Sequence, residues 1–253
     1  MSIILENVTV DTLLEWMAEK VTIDEGEYQK WKAEKIRKGK RPLKALLEKP
    51  KVRDWVSGSD FRSYLNCARI LYWNVHDPVL RKVYINRGTF QAIKKHDLIQ
   101  ERLEERGWYG EFEPKRYLSS YEIQGLGHVD CLSPGGSFFL EIKHNRPVNA
   151  DELQAAWYQY ILEGTPTIVM LYRDRVSVIP DHTRYILKYI PRVLGTITHD
   201  VLPPLHPNFP LCRGTCDYAS RCGRKKRVQM HQGTPDEWRD YFKAIGAWRE
   251  DTR

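Results

Sequence analysis

The sequence predicts an α/β protein: a central mixed β-sheet flanked by helices, with a helical N-terminal extension and a cysteine-cluster C-terminal region. Three observations carry that expectation. Between residues 117 and 194 the apolar pattern switches between periods of about two and about 3.6 in the order β-β-α-β-β-α. Ahead of that block the chain reads as helices alone. Behind it, three cysteines fall within the eleven residues Cys212 to Cys222.

The elements follow in order. Residues 9–20 and 25–36 read as helices, the second running into the basic stretch KIRKGKRPLK at 35–44. That stretch is either a solvated linker or a nucleic-acid contact. Ser57-Gly58-Ser59-Asp60 supplies capping residues for a helix through Phe61, Tyr64, Leu65, Ile70 and Leu71, with Cys67 inside it. Arg87-Gly88-Thr89 precedes a helix over 89–106 that stops at Gly107. Strands are predicted over 117–132 and 137–143, then a helix over 151–163 ended by Gly164. Strands over 167–172 and 175–179 and a helix over 182–194 complete the block. A Pro-rich loop, LPPLHPNFP, leads to the cysteines, and TPDEWRDYFKAIGAWRE forms a last helix. The organisation expected is an N-terminal extension over 1–56, a core over 57–204 and a cysteine segment with its helix over 205–253.

At 253 residues, 42% hydrophobic and 29% charged, the chain has the bulk of an ordinary globular protein. No apolar run approaches the length of a membrane span, and no leader opens the chain, so a cytoplasmic protein with no membrane partner is expected. A net charge of +7 favours polyanionic partners such as nucleic acid. Five cysteines in a reducing compartment argue against a disulfide framework and for metal binding or apolar burial.

The chemistry concentrates on GHVDCLSPGGSFFLEIKHN, residues 127–145. A hairpin turning through Pro134-Gly135-Gly136 sets Asp130 against a strand on which Phe139, Glu141 and Lys143 share a face. Charges on an apolar strand are costly unless something charged meets them. Hard divalent cations take carboxylate and carbonyl oxygens, which Asp130, Glu141 and the Ile142 carbonyl could supply together. Such a cation stabilises charge on a phosphate and acidifies the attacking water, and Lys143 could hold that water. The bland alternative is a surface hairpin with an exposed Glu–Lys pair. Gln154 and Tyr158, four apart on the next helix, share a face; either alone is ordinary helix surface.

The order Asp130, Glu141-Ile142-Lys143, Gln154 to Tyr158 resembles the PD-(D/E)XK nuclease superfamily, specifically its RecB-type exonuclease branch. That resemblance implies a restriction-endonuclease-like core, with Mg²⁺ or Mn²⁺ on Asp130 and Glu141, catalytic help from Lys143, and DNA contacts from Gln154 and Tyr158. SGSDFRSYLNCARILYW is similar to that branch's segment around its first cysteine, with Ala68 where proline is usual. RGTFQAIKKH is similar to its R-G-T-x-x-H segment, but Ala92 stands where the metal-binding histidine is usual. His96, one helical turn later, could reach the same site; the alternative is a surface histidine in a Lys-Lys-His run.

Cys212, Cys216 and Cys222, with Cys67 as a fourth, suit soft or borderline metals, meaning an iron–sulfur cluster or zinc. The pattern of one cysteine before the core and three after resembles the iron–sulfur RecB-type nucleases, among them the CRISPR-associated protein-four family and its viral relatives. The first gap is three residues where those families have two, so both 4Fe-4S and 2Fe-2S remain open, the former favoured. Cys131 reads as packing.

The expectation is therefore a metal-dependent DNA exonuclease acting on single-stranded DNA or single-stranded ends, held by an iron–sulfur cluster. A homo-oligomer, or partners in recombination or CRISPR adaptation, accord with the resemblance. The rivals are a nuclease-derived DNA-binding protein that no longer cuts, and a zinc-stabilised nucleic-acid-binding module.

Overall fold

Two apolar runs, FFLEI and TIVML, form the centre of the protein as parallel neighbours in a computed structural model. The structure describes residues 3–39, 53–77, 85–144, 148–163, 166–179, 181–206, 212, 216–219, 221–222 and 233–248. Residues 40–44 of the basic stretch and 207–210 of the Pro-rich loop lie outside the described residues.

The strands are β1 (Ile4–Leu5), β2 (Val8–Thr9), β3 (Trp55–Ser57), β4 (Tyr109–Phe112), β5 (Lys115–Leu118), β6 (Ile123–Leu126), β7 (Val129–Leu132), β8 (Phe138–Ile142), β9 (Thr167–Leu171) and β10 (Val176–Ile179). The helices are α1 (Val10–Ala18), α2 (Glu25–Gly39), α3 (Gly58–Asn66), α4 (Ala68–His76), α5 (Arg87–Glu104), α6 (Asn149–Ile161), α7 (Thr183–Leu187), α8 (Ile190–Thr198) and α9 (Pro235–Ala244). The main sheet has five strands in the order β10-β9-β8-β7-β4. Strands β8 and β9 are parallel, with Glu141 opposite Met170, and the other pairings within this sheet are antiparallel. Parallel neighbours need a crossover, and α6 supplies it. The fold is α/β, with helices on both faces of a mixed sheet.

Period-two alternation along the central strands sends side chains to two cores. Phe139, Ile168, Met170 and Tyr172 pack with Leu153 and Trp157 of α6, Val193 and Leu194 of α8, and Phe61 and Leu71 of α3 and α4. Leu140, Ile142, Val169, Leu171 and Cys131 face the other way, onto Leu13, Trp16 and Met17 of α1 and Ile99 and Leu103 of α5. Each such side chain, fully buried, contributes about 1.5–3 kcal/mol. Segment 1–56 thus gives apolar side chains to one face of the sheet. It also opens with a hairpin, β1–β2, ahead of its two helices.

The turn of that hairpin grips the rest of the protein. Glu6, at φ +57, accepts hydrogen bonds from Ser133 Oγ (2.7 Å) and the Gly135 amide (3.0 Å), both in the β7–β8 turn. Asn7 donates to the Arg106 carbonyl (2.6 Å) and accepts from Trp108 Nε1 (2.9 Å).

A second sheet, in the order β3-β6-β5, covers the edge of α6. Gly125 lets the strand approach the helix closely, since a Cβ there would lie 3.0 Å from both Trp157 Cζ2 and the Arg116 carbonyl. Trp157 itself stacks on Phe61, ring centroids 4.5 Å apart. Helix α9 docks on α8 through Tyr241, whose hydroxyl lies 2.6 Å from Thr196 Oγ1.

Three expectations are corrected. The helix read through Cys67 is two helices, because Cys67 takes an extended conformation (φ −172, ψ 119) that ends α3 and begins α4. The helix read over 182–194 breaks between Leu187 and Ile190, where Pro191, lacking an amide hydrogen, starts α8 as a first-turn residue. The strand read over 117–132 is three short strands, broken at Glu122 (φ +51) and at Gly127, and β4 precedes them. Among the described residues, no helix is long and apolar enough to cross a membrane.

Candidate active site and cysteine neighbourhood

Asp130 on β7 and Glu141 on β8 lie side by side because their strands pair with Cys131 opposite Leu140. Asp130 Oδ2 accepts the Ile142 amide at 2.7 Å, and its Oδ1 lies 3.2 Å from His96 Nε2. Lys143 Nζ donates to Glu141 Oε2 at 2.9 Å and lies 3.5 Å from Gln154 Oε1. Gln154 Nε2 donates to the Tyr158 hydroxyl at 2.7 Å. A polar network therefore runs from His96 to Asp130 and the Ile142 amide, and from the adjoining Glu141 through Lys143 and Gln154 to Tyr158. The exposed Glu–Lys pair of the bland reading is not what forms, since Glu141 is only 1% exposed.

The two carboxyl groups differ in environment. Burial works against an ionised Asp130. The His96 hydrogen bond and charge, the Ile142 amide and Lys143 outweigh it and hold the pKa below its ordinary value. Glu141 is pushed up to about 8, first by burial and then by Asp130, with Lys143 and His96 opposing. Its Oε1 is buried and has no hydrogen-bond partner. Lys143 is held above its usual range: burial opposes the charge, but Glu141, Asp130 and Asp151 sustain it.

His96 reaches the site from α5, so the surface reading does not hold. Its hydrogen bond to Asp130 raises its pKa against the effect of burial. His144, directly after Lys143, was not singled out in the sequence. Its Nε2 is buried without a partner, and burial together with the charges of His96 and Lys95 lowers it to about 4.

Helix α6 is positioned by more than its apolar face. Asp151, fully buried, pairs with Arg62 of α3 at 3.0 Å. Gly58, the first residue of α3, lies directly against Tyr158 and Gln154. Buried Asp60 bonds both the Ser57 amide (2.8 Å) and the Arg53 guanidinium (two contacts of 2.9 Å), fixing where β3 turns into α3. The sequence signal for all of this was SGSD, legible as a cap but not as a contact with the later helix.

The distant cysteines share a neighbourhood. Cys67 is raised to about 11 by burial, with Cys222 and Cys212 adding to the shift and the Ile70 and Arg69 amides opposing it. Cys216 is raised by burial and by the same two thiols. The segment is tied to α4 by Tyr218, whose hydroxyl donates to Asn74 Oδ1 (2.9 Å), and by Arg221, which pairs with Asp77 and lies 5.0 Å over the Trp73 ring. Cys131 is fully buried in the second core.

Two donor sets fit the groups that the resemblance implies. The orphaned Oε1 of Glu141 beside Asp130 suits a hard cation, and thiols gathered from both ends of the chain suit a thiophilic centre. Neither is drawn together as a finished cage: among the described residues, no three His, Cys, Asp or Glu side chains already converge on one point. Asp130 is instead spent on His96 and the Ile142 amide, and Glu141 on Lys143.

No family model and no curated protein matches the sequence. A solved structure described as "Crystal structure of SSO0001" is similar to this chain at 16% identity and a TM-score of 0.47, covering 81% of this chain and 98% of its own.

Proposed function

We propose that this protein is a divalent-metal-dependent deoxyribonuclease that degrades DNA from single-stranded ends, with an iron–sulfur cluster on Cys67, Cys212, Cys216 and Cys222. The observation that carries the reading is Glu141: a fully buried carboxyl group with one oxygen unpartnered, beside a second carboxylate and a lysine. Leaving a buried polar atom unpaired costs about 1–3 kcal/mol, a cost that asks for a use. A bound Mg²⁺ or Mn²⁺ supplies positive charge for the phosphate and acidifies water. Asp130, Glu141 and the Ile142 main chain hold the ion. His96 orients Asp130 through its 3.2 Å contact. Lys143, which the network keeps charged, steadies the water and the phosphate. Gln154 and Tyr158, locked to each other at 2.7 Å, present an amide and a phenol to the strand.

Single-stranded DNA labelled at one end tests this, incubated with Mn²⁺, Mg²⁺ or a chelator. Stepwise metal-dependent loss of label is expected from the intact protein and not from Asp130→Ala. Label that survives both metals with the intact protein sinks the proposal. Iron and sulfide analysis of the brown or colourless protein decides the cluster separately.

A further inference from the structure

A cavity of about 630 Å³ opens on the α5 side of the hairpin. It lies between the end of α1, the first turns of α5, His144 after β8 and Arg173 in the β9–β10 turn. The network from His96 to Tyr158 does not use it, yet it begins one residue from that network at each of two places. Lys95 precedes His96 on the chain, and His144 follows Lys143.

Its charged lining is biased to one sign. Lys20, Lys95 and Arg173 stand against a single carboxylate, Glu19, which is already held bidentately by Arg102 at 2.6 and 2.9 Å. Lys95 is buried and fixed in the wall, donating to the Trp16 carbonyl at 3.0 Å and to the Glu19 carbonyl, so its charge cannot swing away into solvent. Lys20 and Arg173 are exposed and free to close on something bound. Room at the wall comes from Ala92, a short side chain in the second turn of α5. One fixed cation, two exposed ones and the opening of an 18-residue helix make a concavity for a compact anion.

We propose that this cavity receives a phosphorylated end of the strand being cut, so that the terminal phosphate monoester is read there while the scissile bond lies at the hairpin. The inference rests on the nuclease reading of Asp130 and Glu141, and names which feature of the substrate that site counts from. A terminal monoester differs from the phosphodiesters along the strand by carrying close to a second negative charge. Clustered cations discriminate on that difference, whereas the polar pair Gln154–Tyr158 does not.

Binding measured without cutting separates this from the nuclease reading. Fluorescence anisotropy in chelator would use one single-stranded oligonucleotide in three forms: 5′-phosphorylated, 3′-phosphorylated and hydroxyl at both ends. One phosphorylated form is expected to bind roughly tenfold tighter than the hydroxyl form, the worth of one charge-assisted contact. Arg173→Ala together with Lys20→Ala should abolish that preference and leave the hydroxyl form's affinity within about twofold. Both residues are exposed, so folding is not at stake. Equal affinity for the three forms overturns the proposal, as does a preference that survives the double variant. A deoxynucleoside monophosphate or inorganic phosphate that competes as well as the phosphorylated oligonucleotide also overturns it, since the cavity would then hold a free anion. Failure of the nuclease reading looks different: no DNA is degraded with either metal, whatever the anisotropy gives.

Discussion

Gly58 and Tyr158 are in contact across the α3–α6 interface so closely that a Cβ on Gly58 would lie 2.4 Å from Tyr158 Cε1. The same Cβ would stand 3.0 Å from Gln154 Cγ. The phenol is 4% exposed and its ring edges against Phe139, so it has nowhere to retreat. Gly58→Ala should therefore cost about 1–3 kcal/mol of stability, as overpacking does, and should push Tyr158 off Gln154. Cleavage is expected to fall further than thermal stability alone explains. A variant with unchanged melting temperature and turnover would remove this contact from the design of the site.

Glu141→Gln replaces a buried acid by a neutral group of the same shape. Metal-dependent cleavage should drop by more than about a hundredfold, since the cation loses a charged ligand. Melting in chelator should change little or rise, because the costly carboxyl is gone. Lys143→Ala should show a comparable fall in turnover with the metal-concentration dependence preserved. A metal affinity that collapses in Lys143→Ala as far as in Asp130→Ala would reverse the division of roles.

Cys67→Ser is expected to bleach the protein and lower the melting temperature of the whole core. Closing a loop from residue 67 to residue 212 costs an otherwise free chain roughly 4 kcal/mol by the (3/2)RT ln n rule, and a formed cluster removes much of that. Cys131→Ser, in the second core, should leave the colour alone. Colour and melting temperature both retained in Cys67→Ser would leave the C-terminal thiols needing another ligand.

Glu6 gives a pH signature away from both metal positions. Burial works against its carboxylate, yet hydrogen bonds from Ser133, Gly135 and Ser137 outweigh it and hold the pKa below 4.5. A depressed carboxyl adds stability that is present above its unfolded pKa and lost as pH falls through the folded one. From about pH 5 downward, the intact protein should thus lose stability more steeply than Glu6→Gln. The difference near neutrality is no more than about 1 kcal/mol, because solvent screens an exposed group. Parallel melting curves across that range would show the hydrogen bonds to be energetically idle.

The long periodic elements were legible: α1, α5 and α6 lie within two residues of their expected bounds, and α2 starts where expected but runs on to Gly39. What the sequence hid was set by tertiary contact. A cysteine in mid-pattern gives no local reason to break a helix, yet Cys67 does so where the cysteine segment meets α4. In the candidate site, the nearness of Asp130 to Glu141 and of Gln154 to Tyr158 was readable from spacing along one strand pair and one helix face. His144 and Gly58 were not, because their meaning lies in what a different element brings to them.

The hold of Glu6 and Asn7 on residues 106, 108, 133 and 135 bears on how the chain acquires its shape. The hairpin turn meets these partners only once residues 99 to 129 positions further along have been made. The tip of the carboxylate hairpin, in turn, is anchored by residues that emerged before it. Contacts so distant along the chain slow folding and leave early apolar strands waiting. Val8 and Leu5 must stay out of trouble over that interval. Productive synthesis of this protein therefore depends on keeping the β1–β2 hairpin uncommitted until the sheet that receives it exists.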